Sequence, residues 1–242
     1  SELGDSNPFM KTQKHSKNNN IEPEGVAIYS FEKNANKVTE IEPDRAYIQE
    51  AEFTKTYGFA HVHSSRVRDF STLISQYKDH DADFRLKLSR NVKSNKSNGA
   101  ISPMSKTYAF KTADLSSLTQ NKGQLVLESP GGNFFPNKGW DSLVRIIQAS
   151  PLGNVIIREW DFSLSNGGVI MDKDAINFDV NGYPGILIVR ESETGKAETV
   201  LSWADKKKSY TIELDRNINI ENLIGQLKGL AESMSEPNYF IN

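Results

Sequence analysis

The chain has 242 residues, with 29 Lys and Arg against 31 Asp and Glu and a formal net charge of −2. So even a balance provides no long-range field for a polyanion, which argues against nucleic acid, and no run approaches the roughly 18 apolar residues of a membrane span. The chain contains no cysteine; thiol catalysis, thiolate metal sites and disulfide frameworks are therefore excluded together, and a chain of this length buries a core without such staples.

Residues 1–23 are polar, with the run Asn18-Asn19-Asn20 and prolines at Pro8 and Pro23. Such a stretch cannot bury enough apolar surface to order itself, so it reads as a flexible tether ahead of a folded body. A polar arm before a cysteine-free body is the pattern of an exported lipoprotein whose lipidated end has been removed; a frayed terminus fits the same residues. Residues 24–242 read as a single α+β domain, divisible near 130–153.

Within that domain Val26, Ile28 and Phe31 alternate as a first strand, which Lys37–Ile41 can join through the Asn34-Ala35-Asn36 turn. Tyr47–Phe53 is ambiguous. Tyr57–His63 alternates as a strand with Tyr57, Phe59, His61 and His63 on one face. His61 and His63 either share a metal with a third ligand or belong to a solvated or packed face; no metal site is assigned. Asp69–Tyr77 carries the helical stripe Phe70, Leu73, Ile74, Tyr77. Phe84–Arg90 alternates apolar and basic residues, which predicts a strand with Arg85, Lys87 and Arg90 on its wet face.

Tyr108 and Phe110 fall in another strand, and Asp114 caps a short helical turn ahead of Leu115 and Leu118. Gly123–Glu128 is a strand ended by Pro130-Gly131-Gly132, where the lysine and hydroxyl of a phosphate loop are missing. Trp140–Ala149 has helical spacing at Trp140, Leu143, Val144 and Ile147, with Pro151 as its stop. From Asn154 the pattern is a run of strands: Asn154–Asp161, Val169–Met171, Ile176–Val180, then Gly185–Val189 after the Asn181-Gly182 turn, Thr199–Trp203 and Ser209–Leu214. A closing helix follows an Asn219 cap, with Ile220, Leu223, Ile224, Leu227 and Leu230 as its apolar stripe.

The series Val180-Asn181-Gly182-Tyr183-Pro184-Gly185, Leu201-Ser202-Trp203, Ser209-Tyr210-Thr211-Ile212 and Leu230-Ala231-Glu232-Ser233-Met234 resembles the carboxy-terminal part of the extracytoplasmic lipoprotein-localisation and anti-sigma-regulator superfamily. The resemblance covers about a quarter of the chain. It implies an extracytoplasmic address and a curved antiparallel sheet, an incomplete barrel covered by a few helices, whose concave side holds an apolar ligand or a protein partner.

No residue pattern marks a catalyst: there is no G-x-S-x-G nucleophile and no H-E-x-x-H metal motif, and no cofactor is called for. Trp203 and Tyr210 fall on adjacent strands, where an aromatic cross-strand pair stabilises a sheet or stacks on a ligand. Trp140 and Trp160 complete the candidate ligand-binding set. The sequence thus points to a non-enzymatic envelope protein that holds an apolar small molecule or an envelope protein, with membrane contact only through an amino-terminal anchor. The alternative is a cell-envelope hydrolase acting through paired carboxylates, for which Asp161, Asp172 and Asp174 are available beside turns.

Overall fold

The computed structural model describes residues 10–12, 25–29, 46–92 and 101–237. In chain order it contains β1 (Met10–Thr12), β2 (Gly25–Tyr29), α1 (Ala46–Tyr57), β3 (Ala60–Val62), α2 (Phe70–Val92), α3 (Ser116–Thr119), β4 (Gln124–Phe135), β5 (Gly139–Ser150), β6 (Gly153–Asp161), β7 (Gly168–Asp172), β8 (Phe178–Val180), β9 (Tyr183–Ser192), β10 (Ala197–Ala204), β11 (Lys208–Leu214) and α4 (Ile224–Met234). The fold is α+β. Its open sheet of eight strands runs β3-β9-β10-β11-β6-β5-β4, with β8 also on β9, and only the β3–β9 pairing is parallel. A smaller sheet orders β1-β7-β2. Met10–Thr12, inside the stretch read as a tether, pairs with Gly168–Ile170 of β7. The predicted strand Lys37–Ile41 lies outside the described residues.

β4 runs on to Phe135 through Pro130-Gly131-Gly132, which the sequence pattern makes the end of the strand, and two further elements change type. Trp140–Ala149 is not a helix but most of β5. The strand is covered on both faces, with Ile147 packed towards α3 and α4 and Ile146 towards α2. Its apolar residues therefore run together, and a continuous apolar run mimics helical spacing. Conversely, Phe84–Arg90 is no strand but the second half of α2. Extending a formed helix adds a hydrogen bond per residue without a new nucleus, and Asp81–Arg85 and Asp83–Lys87, each at 3.0 Å, line its surface at helical spacing. The same stretch leaves Leu86 exposed.

Both faces of the large sheet are covered. On one, Val155, Ile157, Leu187, Leu201, Trp203, Ile212 and Leu214 pack beneath Leu227, Leu230, Ala231 and Met234 of α4. On the other, Ile146, Ile156 and Leu127 meet Phe70, Leu73, Ile74 and Tyr77 of α2. Beside them, Ile186, Ile188 and Trp160 meet Ala51 of α1 and Val169 and Met171 of β7. The closing helix starts later than its predicted Asn219 cap: Asn222 is left-handed (φ 57°), and Asn217 Oδ1 accepts the Asn219 and Ile220 amides at 3.1 and 3.2 Å. Ile220 is consequently exposed rather than part of the buried stripe. Residues 130–153 lie within β4, β5 and the start of β6, so the sheet runs unbroken through the stretch read as a divide.

One edge of β9 explains where α1 sits. β8 pairs with residues 183–185 and β3 with 190–192, leaving the backbone between them without a strand on that side. Side chains fill the gap. Asn177 accepts the Leu187 amide through Oδ1 (2.7 Å) and donates through Nδ2 to the carbonyls of Leu187 (2.8 Å) and Ala51 (2.9 Å). Thr54 Oγ1 accepts the Val189 amide (3.1 Å) and donates to Glu50 O (2.7 Å). Buried backbone groups need partners, so α1 and Asn177 stand in for the missing strand.

Candidate functional site

The structure brings the four candidate aromatics together only in part. Trp203 and Tyr210 are register partners on β10 and β11, stacked at 4.9 Å and 11°. They lie in the core beneath α4, where Trp203 Nε1 donates to Ser235 Oγ (3.3 Å) and Tyr210 donates to Asp205 Oδ2 (2.9 Å). Burial, reinforced by Asp205, pushes the Tyr210 phenol upwards. Trp160 lies in the core cluster of the opposite face, edge-on to Phe162 at 5.7 Å. Trp140 stands at the far side, edge-on to Phe84 of α2 (5.3 Å) and close to Phe134 (5.1 Å), with Nε1 donating to Pro103 O (3.2 Å). All four are buried.

Most of the charges buried against the sheet are paired. Between α1 and α2 runs a ladder of alternating sign: Arg66, Glu50, Arg190, Glu198, Arg68, Glu213, Arg158. Arg66 Nε reaches Glu50 Oε1 at 2.5 Å, and Arg190 joins Glu50 to Glu198, the latter at 3.0 Å. Arg68 grips Glu198 through Nε (3.1 Å) and Nη2 (3.0 Å) and reaches Glu213 at 3.4 Å; Arg158 meets Glu213 at 2.7 Å. Burial alone would pull the Arg68 guanidinium down, but Glu213 and Glu198 together push it up. On the α4 side, Glu159 is held by Arg145 (2.5 Å) and Lys208 (2.8 Å), and accepts the Ala113 amide at 2.9 Å. Glu198, Glu213 and Glu159 are essentially inaccessible. Carboxylates buried and paired in this way serve packing and register.

The aspartates named beside turns do local work in part. Asp161 caps a 3₁₀ turn by accepting Ser163 N (3.0 Å), and Asp172 does the same for Asp174 N (2.8 Å). His61 is exposed on β3 with its ring edge-on to Phe59 (4.7 Å), while His63 leaves the strand and accepts the Ser65 amide at 3.1 Å. Among the described residues no three metal-binding side chains gather.

Hollows among the described residues include two surface grooves. A polar groove of about 410 Å³ lies where Asp69 begins α2, lined by Arg68, Lys196, Asp215 and Arg216; Lys196 pairs with Asp69 and Arg216 with Asp215. A more apolar groove of about 280 Å³ lies between α3, the β5–β6 turn and α4, walled by Leu118, Pro151, Leu152 and Leu230.

The remaining feature, which the sequence pattern does not announce, is α1. Its fully buried residues are Glu50, Ala51 and Thr54, with Tyr47 and Ile48 half-buried against the same core, while Phe53 and Tyr57 are exposed. Phe53 is 47% and Tyr57 71% exposed, and their rings stack at 6.0 Å. The ladder and the β9 edge explain the inward polarity, because Glu50 and Thr54 satisfy buried cations and amides. Among the described residues the outward rings have no ring contact other than with each other. The available signal is the i, i+4 spacing of Phe53 and Tyr57 on a stretch of helix formers. It is masked by strand-like alternation from Tyr57 onwards, although Tyr57 ends the helix and the strand begins only at Ala60.

Compared with protein-family models, curated proteins and solved structures, the chain has no significant match.

Proposed function

We propose that this chain is a non-catalytic binding module that docks a protein partner on the outer face of α1. The observation that carries the reading is the outward aromatic pair of α1: Glu50 and Thr54 latch the helix to the sheet, Tyr47, Ile48 and Ala51 pack against the core, and Phe53 and Tyr57 stack exposed to solvent. Exposed aromatics on a rigid element, beside an otherwise filled sheet, have the character of an interface anchor. The cysteine-free composition and the carboxy-terminal resemblance support an extracytoplasmic setting, with the sheet, curved as that resemblance implies, as the scaffold behind the docking helix.

The test is capture of a partner by the full chain from the envelope fraction of its own host. Phe53→Asp/Tyr57→Asp abolishes capture of the same protein, whereas Leu86→Asp, at another exposed apolar position, retains it. Equal capture by all three proteins contradicts the reading.

A second reading, an apolar small-molecule carrier, has one observation in its favour: the groove at Leu118, Leu152 and Leu230. Its volume lies just below the roughly 300 Å³ at which ligand pockets begin. Fluorescent fatty-acid binding that is lost in Leu152→Arg would support it.

A further inference from the structure

We infer that the polar groove at the head of α2 is a binding site for a neutral saccharide, separate from the α1 face. The hollow, about 410 Å³, falls within the roughly 300–1,000 Å³ of small-molecule sites. Its walls are the start of α2, the β9–β10 turn, the start of β6 and the segment after β11. Charge narrows the ligand. The carboxylates Asp69, Glu191, Asp215 and Glu221 share the lining with the cations Arg68, Lys196 and Arg216. A simple anion is repelled by the first set and a simple cation by the second. A zwitterion needs one pole of each sign, but here acid and base are interleaved: Lys196 lies 3.5 Å from Asp69, and Arg216 lies 3.5 Å from Glu221 and 3.9 Å from Asp215. Such a lining suits a neutral ligand whose hydroxyls each donate to a carboxylate and accept from the neighbouring cation.

The pairs are also loosely held. In the buried ladder the Arg68–Glu198, Arg158–Glu213 and Arg190–Glu198 pairs close at 3.0, 2.7 and 3.0 Å. At the groove, the Arg216 guanidinium makes no hydrogen bond among the described residues, and Arg216 Nε and Asp215 Oδ1 are buried atoms without a hydrogen-bond partner. Both groups are nevertheless fixed. Asp215 Oδ2 accepts Asn154 Nδ2 at 2.9 Å, and Arg216 lies against Gly153, where an added Cβ would stand 2.5 Å from Nη2. Buried polar atoms left unpaired are costly. A small turn of Arg216, whose side chain is 32% exposed, admits a hydroxyl that accepts from Nε and donates to Oδ1. Ile220, 60% exposed among the lining residues, supplies an apolar ledge for the C–H face of a sugar ring.

Amide NMR spectra of the full chain, titrated in turn with cellobiose, lactose, maltose, mannobiose and chitobiose, read this directly. At least one of these sugars shifts the amides of Gly195, Lys196, Asn217 and Ile220 saturably, with a Kd of roughly 1 mM or tighter. Arg216→Leu and Asp215→Asn each weaken that binding about tenfold or more, and Phe53→Asp/Tyr57→Asp on α1 leaves it intact. Glu221→Gln, at a side chain 45% exposed, also weakens binding while its melting temperature stays with the parent, which separates a lost contact from a damaged fold. No saturable shift at these amides with any of the sugars overturns the inference, as does equal binding by the parent and Arg216→Leu. Saturable shifts there with sodium phosphate or glycine, and with none of the sugars, overturn it in favour of an anion or zwitterion site.

Discussion

Asp141 is a carboxylate with no ion pair among the described residues. It is fully buried, accepts the Asn133 amide (2.7 Å) and side chain (3.1 Å), and takes a hydrogen bond from the Trp160 indole. Desolvation outweighs these neutral donors and holds its carboxyl above the ordinary aspartate range. A group raised on folding stabilises the native state when protonated, and that contribution is lost as pH rises through the folded value. Asp141→Asn keeps an acceptor for the indole and removes the buried charge. It should hold or raise the melting temperature at pH 7, with the gain shrinking towards pH 4; a loss of several degrees at pH 7 would contradict the assignment. Gly132 explains how the carboxylate fits. At φ 72° it has a left-handed backbone, and an added Cβ would collide with Asp141 Oδ1. Gly132→Ala should therefore cost about 2–3 kcal/mol in denaturant unfolding, from strain and overpacking together. Among single residues the sequence was legible where chemistry is local: the cross-strand pairing of Trp203 with Tyr210 follows from two adjacent strands and their register. The indole–Asp141 bond was not legible, because it joins β5 and β6 through a register set by the whole hairpin.

α1 and α4 show what decides an element. The inward stripe of α4 is apolar and its identity was readable from spacing, although Asn222 delays its start. The apolar inward stripe of α1 is short, Tyr47, Ile48 and Ala51, and polar Glu50 and Thr54 share the buried side, so periodicity defined it poorly; the long-range ladder and the uncovered edge of β9 complete its hold. Glu50 is the keystone of that attachment, bound by Arg66 and Arg190. Glu50→Ala leaves the buried Arg190 with one of its two carboxylate partners removed and should cost about 3 kcal/mol or more by chemical denaturation; Glu52→Ala, on the exposed side, should cost less than about 0.5 kcal/mol. Equal effects would mean that α1 is not latched through its inner face. Gly229, on the outer side of α4, has open space within 4 Å of the point where a methyl group would stand. Gly229→Ala should thus stabilise the helix by up to about 1 kcal/mol, seen as a rise of a few degrees in melting temperature.

The molecule as a whole is a two-sided sheet. Its carboxy-terminal hairpins were legible because alternating apolar residues and Asn-Gly turns are short-range signals. The continuity of those hairpins with β4 and β5 was hidden, since a strand buried on both faces loses its alternation. The candidate aromatics then divide between the faces as packing, and the exposed stacked pair lies on the helix that sequence periodicity defined poorly. Together these features support the proposal that the outer face of α1 docks a partner. It is probed best by photocrosslinking in the native host from a benzophenone side chain placed at Tyr57, with Leu86 and Leu125 as exposed controls. A discrete protein adduct, to a second copy or to another chain, is expected from position 57 and none from the controls. No adduct at position 57, or the same adducts from all three positions, would contradict docking on this face.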